Sequence, residues 1–175
     1  MKLGFTFTLL LSFFMLSSCQ KERLIDNNDK TVDLNQINNG NHDLTNIQGV
    51  GAPCKNGYAG KYPCKGLDLL AHINLSTFES YSGNDSWGWT DPDTQKEYVL
   101  MGLDDGTAFV DISEAMDPIL LGKLPTTTET SDWRDIKVYK NHAYIVSEAA
   151  GHGIQVFDLT RLRGAKPKQN FTPDR

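Results

Sequence analysis

The chain has 175 residues, with 17 Lys and Arg against 22 Asp and Glu and a net charge of −5 at neutral pH. A mildly acidic chain with no basic run argues against nucleic-acid binding, which needs a concentrated basic face to neutralise phosphates. Lys2 is the only charged residue in the first 18, so the chain without them is one unit more acidic.

The first element is apolar. Lys2 supplies a positive n-region, and Phe5 to Leu16 follow as an apolar stretch interrupted by Thr6, Thr8 and Ser12. A bilayer takes roughly 20 apolar residues to cross, so this stretch has the length of a signal-peptide h-region. Leu16-Ser17-Ser18-Cys19 then reads as a lipobox: an apolar residue, two small ones, and the cysteine whose thiol accepts diacylglycerol before cleavage. An ordinary secretory signal with an incidental cysteine is the alternative. A spanning anchor fits less well, because polar sequence starts directly after Cys19. The expectation is a signal peptide over residues 1–18 and lipidation at Cys19. Acyl chains of the palmitate kind, at roughly 0.8 kcal/mol per buried methylene, then hold the protein to a membrane of the bacterial cell envelope. Gln20-Lys21-Glu22 resembles the charged signals that send some lipoproteins to the outer surface.

Residues 19–52 read as a tether. Seven asparagines lie between Asn27 and Asn46 with only isolated aliphatics, and such composition buries too little apolar surface to offset its ordering entropy. Cys54 and Cys64 follow, bracketing a Gly-rich loop that Pro63 closes. In an exported protein the pair predicts a disulfide. Free thiols or a metal pair are the alternatives, and no further sulfur ligand exists to complete a structural zinc site.

From Asp85 onwards the chain repeats. Placing Trp87 over Trp133 sets Glu97-Tyr98-Val99-Leu100 over Ala143-Tyr144-Ile145-Val146 at an offset of 46 residues. One further residue sets Gly106-Thr107-Ala108-Phe109-Val110-Asp111-Ile112-Ser113 over Gly153-Ile154-Gln155-Val156-Phe157-Asp158-Leu159-Thr160. A period in the forties with several strands per unit is the spacing of a propeller blade. Short β-branched or aromatic runs predict strands at Tyr98–Met101, Ala108–Ile112, Ile119–Leu121, Ile136–Tyr139, Tyr144–Val146 and Ile154–Phe157. Several are apolar at consecutive positions, which predicts burial on both faces. Leu69 to Phe78 is ambiguous, and Gly66-Leu67-Asp68-Leu69 reads as the closing strand of an earlier, incomplete repeat.

The run from Tyr98 to Ser113, with Asp117-Pro118 and Leu121-Gly122 after it, resembles the LVIVD repeat, a β-propeller-type unit. A wider set of motifs resembles the choice-of-anchor B family of exported bacterial proteins over residues 54–163. These are Ala59-Gly60-Lys61-Tyr62-Pro63-Cys64, Trp87-Gly88-Trp89-Thr90-Asp91-Pro92, Trp133-Arg134-Asp135-Ile136-Lys137-Val138 and His152-Gly153-Ile154-Gln155-Val156-Phe157-Asp158. The resemblance implies a propeller-type fold and a surface anchor, for which a lipobox is one of the family's signals. It implies no agreed activity. A closed propeller takes about four to eight blades, whereas residues 53–175 hold about two plus an N-terminal strand segment. The expected fold is therefore an all-β, partial propeller belonging to a longer one, with its last blade exposed and marginal.

Candidate ligand-binding residues are Trp87, Trp89, Trp133, Arg134, Asp135 and His152, with Asp85, His142 and Glu148 beside them. At the mouth of a propeller channel the indoles would stack on a ligand and Arg134 would meet an anion. Blade-to-blade packing is the competing role for tryptophans at a fixed period. His142, Glu148 and His152 can ligate a metal but match no local signature, so no metal site and no cofactor are assigned. Asp91-Pro92-Asp93 and Asp104-Asp105-Gly106 read as turns instead of calcium loops. No nucleophile elbow and no phosphate loop is present, so no catalytic residue is assigned. The favoured function is a surface-anchored binding or interaction module for an unknown envelope or extracellular ligand. An extracellular propeller enzyme of hydrolase or lyase type and a structural envelope scaffold are the other readings.

Overall fold

In a computed structural model, the structure describes residues 46–47 and 51–175. The leader, Cys19 and the tether up to residue 45 lie outside the described residues. The described part is all-β. It opens with four two-residue strands: β1 (Asn46–Ile47), β2 (Tyr58–Ala59), β3 (Tyr62–Pro63) and β4 (His72–Ile73). β1 pairs with β4 and β2 with β3, both antiparallel. Asn56 and Gly57 have φ of 53° and 84°, the left-handed pair that a two-residue hairpin turn requires. That turn joins the bridged pair Lys55 and Tyr58 just before β2, and the Cys54–Cys64 disulfide, with its Cα atoms 5.8 Å apart, encloses both it and the β2–β3 hairpin.

The main body is two antiparallel meanders. The first sheet holds β5 (Gly83–Thr90), β6 (Glu97–Leu103), β7 (Gly106–Asp111) and β8 (Ile119–Pro125); the second holds β9 (Arg134–Tyr139), β10 (His142–Ser147) and β11 (Ile154–Asp158). The last strand, β12 (Gln169–Asn170), adds parallel to β8 and gives the first sheet the order β12-β8-β7-β6-β5. Neither sheet closes on itself. The chain's end turns back onto the second sheet, where Val156 N–H donates to the Arg175 carbonyl at 2.9 Å and Asp174 N–H to the Val156 carbonyl at 2.8 Å.

One face of the first sheet packs on one face of the second. Trp89, Tyr98, Leu100 and Phe109 meet Ile136, Ala143, Ile145 and Phe157 in a single buried cluster. Phe109 stacks on Phe157 at 4.5 Å between ring centroids, and Phe171 meets the two edge-on at 5.4 and 5.2 Å. The other face of the first sheet carries Leu103, Ala108 and Val110, covered in part by Phe78 from a 3-10 turn at Leu75–Phe78. Every residue of β7 is buried, which is why its sequence is apolar without alternation.

Two turns at aligned positions of the sequence share one hydrogen-bond pattern. Asp111 Oδ1 accepts from the Ser113 amide and hydroxyl, and Asp158 Oδ1 accepts from the Thr160 amide and hydroxyl in the same way. Pairing in the strands is offset, however. In the first sheet Trp87, Leu100 and Phe109 lie in one row across three strands; in the second the row is Lys137, Tyr144 and Val156. The shift arises at both hairpins: the first is long in the first sheet and is the tight pair Lys140-Asn141 in the second, with φ of 47° and 61°, whereas the second is tight in the first sheet, pairing Leu103 with Gly106, and long in the second, where pairing ends at Val146 and Ile154. Because strands alternate faces with period two, this even shift leaves every side chain on its original face.

Gly122 marks the closest approach in the sheet. A Cβ there would fall inside the Gln169 carbonyl group of β12, backbone that cannot step aside. Gly122→Ala is therefore expected to detach β12 from β8 and cost about 1–3 kcal/mol, read as a lower denaturant midpoint together with faster amide exchange at Phe171, whose N–H donates to the Lys123 carbonyl at 2.8 Å.

Candidate functional site

Two groups of polar side chains lie along the seam between the sheets. At its inner edge, β5 and β9 run side by side without sharing a ladder. Side chains of β5 take over the exposed backbone groups of β9 instead: Asn84 Nδ2 donates to the Arg134 carbonyl at 3.3 Å, and Asp85 Oδ2 accepts from Ile136 N–H at 2.9 Å. This side-chain clamp satisfies an edge that would otherwise present unpaired groups. The Ile136 amide is the main reason that the Asp85 carboxyl titrates below its ordinary range; burial opposes it, and Lys137 adds to it. Lys137 Nζ sits 3.6 Å from Asp85 Oδ2 and 4.3 Å from the centroid of the Trp87 ring.

The second group is buried. Arg134 is 1% exposed, yet no carboxylate bonds its guanidinium. Nε donates to the Leu103 carbonyl at 2.9 Å, Nη2 reaches the Asp104 carbonyl at 3.5 Å, and Nη1 faces His152 Nε2 at 3.4 Å. A guanidinium can only donate, so Nε2 must be the acceptor. That places the imidazole proton on Nδ1, which lies 3.0 Å from the Thr128 hydroxyl. His152 is thus held as the neutral tautomer. Burial, then the Arg134 charge, lower its pKa from the usual histidine value. Burial also lowers Arg134, with the Asp105 and Asp104 carboxylates acting the other way. On the facing surfaces, Gln155 Oε1 and Thr107 Oγ1 are buried without a hydrogen-bond partner among the described residues.

No family model, no curated protein and no solved structure matches the chain. What the site can do is therefore read from its own geometry.

Of the six residues singled out from sequence, the structure brings Arg134 and His152 into contact and scatters the rest. Trp89 is in the core, stacked on Tyr98 at 5.2 Å, with its indole N–H donating to Asn141 Oδ1 at 3.2 Å. Trp87 lies under Lys137, and Trp133 stands 60% exposed just before β9. Asp135 points to the opposite face of β9 from Arg134. Asp158 is the acid beside His142, and among the described residues no three His, Cys, Asp or Glu are grouped to hold a metal ion.

Asp91, read as a turn residue, does more than shape its turn. Its buried carboxylate takes Asp93 N–H and the Thr94 hydroxyl, and it also receives both arms of Arg163, at 2.7 and 2.6 Å. Arg163 is the main cause that holds this carboxyl far below the ordinary range. Sequence reading missed Arg163, as it missed Lys123, whose ammonium meets Asp105 at 2.8 Å and the Ser80 hydroxyl at 2.9 Å. No local spacing ties either pair together.

Proposed function

We propose that this chain is a surface- or envelope-anchored lipoprotein whose folded part is a propeller-type binding module, with acyl chains on Cys19 and an envelope or extracellular ligand. The observation that carries the reading is the pair of antiparallel meanders with matching Asp-x-Ser/Thr turns, stacked face to face with their first strands adjacent at one edge. Successive blades of a propeller are arranged in this way. The lipobox and the Asn-rich tether supply the anchoring half of the argument, and the resemblance to the choice-of-anchor B family agrees with both halves.

The module is read as binding instead of catalytic because of where the reactive groups lie. Arg134 and His152 are enclosed between the sheets and spend their hydrogen bonds on each other, on backbone carbonyls and on threonine hydroxyls. A catalytic acid, base or nucleophile must reach a substrate. Trp133 and the Trp87–Lys137 pair are the open groups at the inner edge, and they offer stacking surface with an adjacent cation.

The anchoring half is tested by intact mass and membrane partitioning of the protein from its native host. The expected result is a chain starting at Cys19, heavier by its acyl groups, that enters the detergent phase and becomes fully aqueous in Cys19→Ala. An unmodified N-terminus elsewhere would sink it.

A further inference from the structure

Charge is not spread evenly over the chain. Residues 68–175 carry ten Lys and Arg against seventeen Asp and Glu, whereas residues 53–67 carry three lysines, Lys55, Lys61 and Lys65, and no acid. All three lysines are exposed, and among the described residues none of them makes an ion pair. Asp68, the next acid in the chain, accepts from the Cys54 amide at 2.8 Å. The other basic stretch, from Arg161 to Lys168, is half neutralised: Arg161 bonds Asp174, and Arg163 bonds Asp91 and Asp93.

The hairpin that holds these lysines has a body side and an open side. Its two strands pair Tyr58 with Pro63 and Ala59 with Tyr62. Paired residues lie on one side of a ladder, and neighbours along a strand lie on opposite sides. Ala59 is buried and the Tyr62 ring lies 5.6 Å from that of His72, so this row faces the fold. Tyr58 and Pro63 therefore face outwards. Tyr58 is 58% exposed, and Leu67, just after Lys65, is 76% exposed. An open phenol among three unpaired cations suits one kind of surface. Tyrosine settles where one end of the ring is apolar and the other wet, as at a membrane interface. Each lysine beside an anionic headgroup layer strengthens the attraction about fivefold.

We propose that the disulfide-enclosed hairpin, through Lys55, Lys61, Lys65 and Tyr58, docks onto the anionic headgroups of the membrane that anchors this chain. This inference rests on the anchoring half of the proposed function. Three lysines together give about a hundredfold, too little to recruit a free protein but enough for a domain that a tether already holds at about millimolar effective concentration. Screening sets the orientation. At about 0.1 M salt a charge acts over about 10 Å, so the membrane feels only the face turned towards it. The hairpin is drawn in, while the acidic remainder of the fold is repelled and stays beyond that distance.

The test uses the protein from its native host, reconstituted into vesicles of phosphatidylcholine alone or mixed with an equal amount of phosphatidylglycerol. Flotation reads the anchor first, and hydroxyl-radical footprinting then reads side-chain access. Oxidation of Tyr58 is expected to fall several-fold on the anionic vesicles at about 0.1 M salt and to recover at about 1 M. Trp133 and Ile154, at the second sheet, should be oxidised alike on both. Lys55→Gln/Lys61→Gln/Lys65→Gln alters exposed side chains only, so it should keep the near-UV spectrum and lose the protection. Lys166→Gln/Lys168→Gln should keep both. The proposal is overturned if Tyr58 is oxidised equally on the two kinds of vesicle, if its protection survives the hairpin variant or is lost in the other, or if Trp133 is protected with it. Equal protection of Tyr58 by dextran sulfate on neutral vesicles overturns it in favour of an acidic polysaccharide. Protein that does not float with neutral vesicles overturns the anchoring reading and this inference with it; protein that floats without protecting Tyr58 overturns this inference alone.

Discussion

Phe109→Ala is expected to cost about 3–5 kcal/mol and to lower the thermal midpoint by roughly 10–20 °C. Phe109 is fully buried, stacks on Phe157 across the seam and receives the edge of Phe171. Its truncation removes the ring that stacks on Phe157 of the second sheet and meets Phe171 in the segment leading to the chain's end. The cavity has little means of collapse, because β7 is paired on both sides by β6 and β8 and cannot shift without breaking a ladder. Val146→Ala serves as the contrast: it deletes apolar methyl groups from a half-exposed position of the second sheet and should change stability by no more than about 1 kcal/mol. Thermal unfolding followed by near-UV circular dichroism reads both. If Phe109→Ala moved the midpoint by no more than Val146→Ala does, the two sheets would not be one cooperative unit and the seam would not be the main source of stability.

The strands that sequence reveals are those whose burial is complete or strictly alternating. β6, β7, β10 and β11 announce themselves through Val, Ile, Leu, Tyr and Phe, and their bounds differ from the expected runs by a residue or two. β5 does not, since Gly83-Asn84-Asp85-Ser86 has none of the composition of a strand. Its place is set by what its side chains do for β9, a requirement of tertiary structure that leaves no local periodicity. The stretch from Leu69 to Phe78 was ambiguous for a similar reason: it is a two-residue strand followed by a 3-10 turn, each too short to carry a period.

The site was legible only as a set of residue types. Arg134 and His152 lie 18 residues apart, and their contact needs the hairpin of β9 and β10 to bring the loop before β11 back over the start of β9. Arg163 and Asp91 are 72 residues apart. Trp87 and Trp89 show the same limit from another side. They share one face of β5, yet Trp89 is buried against Tyr98 and the Asn141 turn while Trp87 is roofed only by Lys137. The difference is made by where the second sheet ends, which the tryptophan spacing does not encode.

Stability is expected to fall as pH drops from about 6.5 towards 5, and His152→Gln is expected to remove that fall. In the folded protein the His152 imidazole is neutral and accepts from Arg134, so protonation would replace a hydrogen bond with two cations in contact. Thr126 and Thr128 line its other side and carry no charge to offset the second one; Asp104 and Asp105 act on Arg134 from beyond it. The folded pKa therefore lies below the unfolded value of about 6.5. With the folded pKa depressed, the unfolded chain binds more protons as pH falls, and unfolding is favoured by up to about 1.4 kcal/mol per pH unit while His152 stays neutral. Above the unfolded value the contribution is complete; it is lost between the unfolded and the folded pKa. The carboxylates Asp85, Asp91, Asp111 and Asp158, all held below their ordinary values, add their own loss only at more acidic pH, below about 4. In the interval above that, the part of the slope that His152→Gln removes reports on His152. Gln at 152 can still accept from Arg134 and donate to Thr128, so the variant should keep most of the neutral-pH stability. Arg134→Ala should not. It leaves the Leu103 carbonyl buried without its donor, at about 1–3 kcal/mol. Urea midpoints at half-unit steps from pH 8 to 4.5 decide the matter. A flat wild-type profile between pH 7 and 5, or a slope that His152→Gln leaves in place, would show that the buried pair does not couple folding to protons.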